Sequence, residues 1–283
     1  MINPIKLIRV AIAGLAMLSL LASAGMATDD AQVQEYVLWV GANAPGRADH
    51  EANIIRQALQ RTADDYGPFK LIVSSETSIS KHWRQLLAQG ERMQIAPTSL
   101  MDFPPGEITL IPVPIAGGKL GYRNLIVSKQ RLAEFRKVKS AAHLSHYTAG
   151  QGSSWFDTWV YEANNLPIIG APELSDLLIM LAQGKIDYLP LSVDETPDIL
   201  AAHPKLARDL VVVPDLFIYY PLSSFPVVSN RHPELIERLR IGLEAMHADG
   251  SIGETGRDAI SQETLANCSV IALENPSRLL PLL

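Results

Sequence analysis

The chain has 283 residues, of which 47% are hydrophobic and 19% charged, with 18 Gly, 19 Pro and one Cys. That composition excludes a disordered, collagen-like or coiled-coil chain. Cys268 alone excludes an intrachain disulfide framework and any multi-cysteine zinc or iron–sulfur site.

The N-terminus reads as an export signal. Lys6 and Arg9 form a basic start, and Val10 to Ala22 is an apolar run of 13 residues. That run is short of the roughly 20 residues that span a bilayer. Small residues follow at Ala22-Ser23-Ala24 and Gly25-Met26-Ala27. Residues 1–27 are therefore expected to be a cleaved signal peptide, with no lipid-anchoring Cys beside the cleavage site. Removing them lowers Lys plus Arg from 24 to 22 against 30 Asp plus Glu, so the net charge moves from −6 to −8. An acidic exported chain repels nucleic acid and anionic membrane surfaces. The expectation is a soluble, monomeric periplasmic protein with no nucleic-acid partner and no membrane insertion.

Strands and helices are expected to alternate along the rest. Tyr36 to Val40 predicts a strand, and Asp49 a cap for a helix carrying Ile54, Ile55, Ala58 and Leu59. Lys70 to Ser74 predicts a second strand, Trp83 to Gln89 a helix ending at Gly90, and Met93 to Ala96 a third strand. Leu125 to Val127, Ile168-Ile169, Ile186 to Leu191, Val211 to Val213 and Phe225 to Val228 continue the strands. Helices are predicted over 153–164, from Pro172 to Gly184, over 233–246 and around 254–260. Alternation of this kind argues for α/β architecture with mainly parallel sheet.

Leu87-Ala88-Gln89-Gly90 recurs 94 positions later as Leu181-Ala182-Gln183-Gly184. Each copy ends a predicted helix and leads through a strand to a polar tip, Pro97-Thr98-Ser99 and Pro190-Leu191-Ser192. Matching contexts predict two similar α/β lobes whose tips face a shared cleft.

Catalytic motifs are missing. The chain has no G-x-S-x-G elbow, phosphate loop or dinucleotide fingerprint. His50-Glu51 starts like a zinc-protease motif, but position 54 is Ile. His143 and His146 lack a nearby third ligand and read as loop histidines. Cys268 reads as a small buried hydrophobe. No cofactor, metal or catalytic residue is expected. Asp194-Glu195 reads either as a helix cap with surface charge or as a ligand contact. Gly150 to Asp157 (GQGSSWFD) is the most suggestive segment. Two glycines and two serines opening a helix suit an anion, and Trp155 adds an apolar wall. Arg47 and Arg123 are candidate charge partners.

The order of Gly150 to Asp157, Leu178 to Tyr188, Tyr220-Pro221, Phe225 to Val228, His232 to Leu235 and Gly242 to Ser251 resembles the type 2 periplasmic solute-binding proteins, in particular bacterial extracellular solute-binding family 3. Ile115 to Val127 is similar to that family's crossover between lobes. The resemblance implies a two-lobed, hinged α/β receptor that closes on a small solute and delivers it to an ABC importer. It implies lobe 1 from residues 28–121 and 223–283, and lobe 2 from 122–222. Ser153 and Ser154 match the family's second-lobe anion contacts. No Arg follows the Thr98-Ser99 tip, where amino-acid binders hold a carboxylate. Ser192 stands at the acidic ammonium-binding position, with Asp194 and Glu195 displaced. The expected solute is accordingly small and polar or anionic, amino-acid-like in size. The expected contacts are Asn43, Arg47, Thr98 and Ser99 from lobe 1, and Arg123, Gln151, Gly152, Ser153, Ser154, Trp155, Ser192 and Glu195 from lobe 2. An accessory protein of the same fold that signals to a membrane sensor is the alternative. An exported enzyme using Asp187, Asp194 or Glu195 is a third reading.

Overall fold

The computed structural model describes residues 33–41, 45–79, 82–99, 106–116, 118–153, 155–253 and 260–276. The expected signal peptide and the helix expected around 254–260 (apart from Ile260) lie outside these residues. The first half of the chain forms β1 (Gln34–Trp39), α1 (Pro45–Arg61), α2 (Ala63–Tyr66), β2 (Phe69–Ser74), α3 (Trp83–Gln89), β3 (Ile95–Thr98) and β4 (Ile108–Leu110). Next come β5 (Tyr122–Ser128), α4 (Leu132–Phe135), α5 (Ala141–Leu144), β6 (Ala149–Gly152), α6 (Asp157–Ala163), β7 (Ile168–Ala171), α7 (Leu174–Ala182) and β8 (Leu189–Ser192). The chain ends through α8 (Thr196–Ala202), α9 (Pro204–Ala207), β9 (Leu210–Tyr219), β10 (Phe225–Ser229), α10 (Pro233–Ala248), α11 (Gln262–Ala266) and β11 (Ser269–Ala272).

Among the described residues three sheets follow from this order. The first runs β2-β1-β3-β10-β4, with β10 antiparallel to both neighbours. The second runs β11-β9-β5-β8. Beyond it, β6 and β7 pair in parallel, and a parallel bridge from Ala149 to Tyr188 ties β6 to the approach of β8. Lobe 2 thus reads β7-β6-β8-β5-β9, the strand order and polarity of lobe 1, with β5 in the place of β10. All three sheets belong to one compact unit.

The repeated tetrapeptide has the same job twice. Gly90 (φ 72°) ends α3 before β3, and Gly184 (φ 70°) follows α7 before β8. Both adopt the left-handed conformation that lets a helix turn back into the sheet at little cost for glycine.

Each lobe has its own core. In lobe 1, Ile54, Ile55, Ala58 and Leu59 of α1 pack with Leu235, Leu239, Leu243 and Met246 of α10 against Leu38, Ile95 and Val228 of the sheet. Apolar residues at three- and four-residue spacing give both helices one inner face. Gly242 lets them touch, since a Cβ there would lie 2.2 Å from the Ala58 carbonyl oxygen. Arg238, fully buried, donates to the carbonyls of Leu59 and Gly67 at 3.1 and 2.9 Å. Its guanidinium faces the rings of Tyr36, Tyr66 and Phe69 at 5.1–5.8 Å. A cation at the C-terminal carbonyls of α1 complements that end of the helix dipole. In lobe 2, one core gathers Leu125, Val127, Phe135, Val160, Tyr161 and Tyr188 on one face of the sheet. The other gathers Ile126, Leu177, Leu178, Leu181 and Leu189 on the opposite face.

Several boundaries differ from the sequence expectation. Helix α1 starts at Pro45, so Asp49 lies inside it rather than capping it. Helix α6 starts at Asp157, not Ser153, because the chain first makes a turn in which the Trp155 N–H donates to the Gly152 carbonyl at 2.9 Å. Strand β11 pairs with β9, so residues 269–272 complete the sheet of lobe 2 and do not join lobe 1. Ile271 and Leu273 are buried there, which supplies the apolar reason. Cys268 is only half-buried, its thiol donating to the Thr264 carbonyl at 3.1 Å, and is not a core residue.

A Gly242→Ala substitution is expected to cost about 1–3 kcal/mol, the usual range for overpacking a tight contact. Urea unfolding measures it. A loss below about 0.5 kcal/mol would contradict the close approach of α1 and α10.

Candidate functional site between the lobes

Two of the crossings between the lobes, from β4 to β5 and from β9 to β10, run side by side. The Ile111 N–H donates to the Pro226 carbonyl at 2.9 Å, and the Ile115 N–H to the Ser224 carbonyl at 2.8 Å. The Ser223 hydroxyl donates to the Ala116 carbonyl at 2.7 Å, and the Tyr220 N–H to the Gly121 carbonyl at 3.2 Å. Gly121 allows that approach, since a Cβ would lie 2.5 Å from the Tyr220 carbonyl oxygen.

Beside the crossings sits a group of buried charges. Arg123 on β5 is 4% exposed and pairs with Asp157, the first residue of α6, at 2.7 Å. Its Nε donates to the Tyr220 hydroxyl at 2.9 Å, and that hydroxyl donates to Asp157. Burial opposes the charge on Arg123, yet Asp157, Tyr220 and Glu195 outweigh it and push the guanidinium pKa up. Burial likewise drives the Tyr220 hydroxyl well above its usual range, so it stays protonated as a donor.

A second pair joins the lobes. Arg47, in the first turn of α1, contacts Glu51 at 3.1 Å through Nε and Glu195 at 3.3 Å through Nη1. Glu51 is fully buried, one helical turn from Arg47, and Glu195 precedes α8 in lobe 2. The two carboxylates overcome the burial cost and raise the Arg47 pKa. Near this pair, burial holds the Asp194 carboxyl above its ordinary range, with Lys119 at 4.0 Å opposing.

The other expected contacts fall around these groups. Thr98 ends β3, is buried, and stands opposite Phe225 of β10, while Ser99 beyond it is half-buried. Ser192 ends β8, is buried, and pairs in register with Arg123. The Ser192 carbonyl accepts the Thr196 hydroxyl at 2.7 Å, which ties the tip to α8. Gln151 is fully buried on β6, and among the described residues neither amide atom has a hydrogen-bond partner. Gly152 lies under the Trp155 indole, where a Cβ would come within 2.3 Å of the ring. Trp155 is half-buried and packs on the core of α7 and β8. Ser153 is exposed, and its N–H donates to the Ala171 carbonyl at 2.9 Å. That backbone donor is spent on β7, so the segment is not a row of free helix-start N–H groups. Asn43 and Ser154 lie outside the described residues.

The structure therefore joins Arg47 to Glu195 and sets Arg123 beside Ser192. Glu51 was legible as the i+4 partner of Arg47 on a helix. Asp157 lay at the end of the glycine–serine segment, but nothing in the sequence marks Arg123 or Tyr220 as its partner. Among the described residues, no three His, Cys, Asp or Glu side chains gather as metal ligands. No helix among them is long and apolar enough to cross a membrane.

No family model and no curated protein matches this sequence. Solved structures do. A mutant of ArgBP from T. maritima aligns with TM-score 0.52 and 15% identity over 77% of this chain and 91% of that one. An amino acid ABC transporter substrate-binding protein, AbpA from Streptococcus pneumoniae bound to L-arginine, gives 0.55 and 15% over 82% and 95%. The VFT2 domain of BvgS from Bordetella pertussis, as a double mutant, gives 0.54 and 14% over 77% and 91%. The fold is the two-lobed α/β fold of the type 2 periplasmic binding proteins. At these identities the likeness defines the fold.

Asp157→Ala is expected to cost about 3–5 kcal/mol, because it strands a buried guanidinium. Tyr220→Phe, which removes one hydroxyl from the group, should cost about 1–2 kcal/mol. Denaturant unfolding of both variants checks the order. Equal, small losses would show that the Arg123 group is solvated rather than buried.

Proposed function

We propose that this chain is a periplasmic solute-binding protein that captures a small polar or anionic, amino-acid-like solute between its lobes by hinge closure. The observation that carries the reading is the repeated strand order. It aims the ends of β3 and β8, with Thr98 and Ser192, from two lobes joined only by the paired crossings and the C-terminal segment. Ligands of parallel α/β sheets sit beyond the carboxyl ends of the strands, which is where these residues stand. Ser99, Arg47, Glu195, Gly152, Ser153 and Trp155 would line the same cleft, and Asn43 and Ser154 remain proposed contacts from the sequence. Gln151, with two unpartnered amide atoms under the tip of β6, would report solute or water entering there. Arg123 would act on the solute through its field, since Asp157 and Tyr220 hold its guanidinium.

In this reading lobe 1 comprises 28–121 and the chain from 223 to about 268, and lobe 2 comprises 122–222 with β11. The signal peptide would be removed on export, and the protein would act as a monomer without metal, cofactor or catalytic step. Substrate-binding proteins of amino acid ABC transporters share the fold, which supports delivery to an importer. The BvgS VFT2 likeness supports the second reading, in which the closed form signals to a membrane sensor.

A thermal-shift panel of amino acids, small organic acids, amines and sugars tests solute capture. A solute at about 100 times its Kd should add roughly 2.7 kcal/mol, a rise of about 5–10 °C for a chain of this size. A flat response to every class would contradict the reading.

A further inference from the structure

The Arg47–Glu195 contact links two elements that belong to different lobes. Arg47 is on α1, which packs into the lobe 1 core, and Glu195 leads into α8, which packs on the lobe 2 core. Both side chains are largely shielded, at 19% and 12% exposure. Glu51 fixes Arg47 through Nε, which leaves Nη1 directed at lobe 2. The geometry around the pair is tight. A Cβ at Gly46 would lie 3.0 Å from the Asp198 carboxylate, so the start of α1 already abuts α8. His50, in the same turn of α1, contacts the Ile115 carbonyl of the crossing at 3.0 Å.

Charge within each lobe points the same way. In lobe 1, Arg47 and Glu51 balance. In lobe 2, Arg123 is matched by Asp157, and two carboxylates draw an ion pair from lobe 1: Asp194 from Lys119 at 4.0 Å on exposed side chains, and Glu195 from Arg47 at 3.3 Å on shielded ones. We propose that Arg47 and Glu195 form an interlobe latch: a guanidinium held by lobe 1 closes onto a shielded carboxylate of lobe 2 and sets the balance between open and closed forms. The proposal rests on the hinge reading above and adds its regulation. A latch that favours the closed form raises apparent solute affinity by raising the fraction of competent protein. It also lets the lobes close without a solute, which a signalling protein could read as a default state.

Distance measurement between spin labels tests it on the full mature chain with no solute added. Labels at exposed Arg56 on α1 and Lys205 on α9, in a Cys268→Ser background, report the lobe separation. The parent should show a dominant short distance. Glu195→Gln, which leaves the Arg47–Glu51 pair intact, should lower the short-to-long ratio about tenfold, the size expected when one partner of a shielded pair loses its charge. Arg47→Gln should move it the same way. Lys119→Gln, which removes only the exposed 4.0 Å contact with Asp194, should leave it unchanged. Circular dichroism confirms that each variant is folded. The latch is overturned if Glu195→Gln and Arg47→Gln keep the parent distribution, if Lys119→Gln shifts it equally, or if the parent is already mostly long. Failure of every solute to bind would count against solute capture and leave the label result standing, so the two outcomes separate.

Discussion

Each lobe of this protein is finished by a strand that arrives from the other. Strand β5 enters lobe 2 from lobe 1 and β10 returns, and each takes the antiparallel place beside the third strand of its sheet. The two crossings must therefore lie together, and their mutual hydrogen bonds bring them together. Everything at the cleft depends on that constraint. Under the proposed hinge, the ends of β3 and β8 would face a common space and the lobes would rotate about the crossings. Gly121, where a side chain would strike the Tyr220 carbonyl, is the residue that lets the crossings close up.

The charges sit where that geometry makes them matter. Arg123, Asp157 and Tyr220 brace the root of β5 against α6, next to the crossing at Tyr220. Arg47 of α1 and Glu195 before α8 meet at 3.3 Å. A buried pair adds little stability compared with a well-packed apolar core. The first group fixes β5 within lobe 2, and the second joins one lobe to the other. Under the proposed hinge, closure would make or break the second while the first stays intact.

Much of the fold was legible. The repeated Leu-Ala-Gln-Gly marked equivalent helix-to-strand turns, because only a glycine reverses the chain at the end of a helix so readily, and two such turns imply two similar sheets. Long periodic segments such as α10 were legible for the same local reason. Other features were not. Ser153 looked like the start of a helix, but its N–H is claimed by Ala171, a partner 18 residues away that no local pattern reveals. Strand β11 is short and lies beyond the expected end of lobe 2, so its pairing with β9 is set by tertiary contact alone. At the site, Thr98 and Ser192 could be placed from the repeat. The pairing of Arg47 with Glu195, 148 positions apart, could not, because it depends on how the lobes meet.

The claim that most needs testing is that the ends of β3 and β8 hold the solute. A crystal structure of the complex with whichever solute stabilises the protein tests it directly. The account predicts the solute between the lobes, with polar contacts to Thr98 or Ser99 on one side and to Ser192 or the Gly152-Ser153 turn on the other. A solute seated on an outer face of either lobe, with the cleft filled by protein side chains, would contradict it.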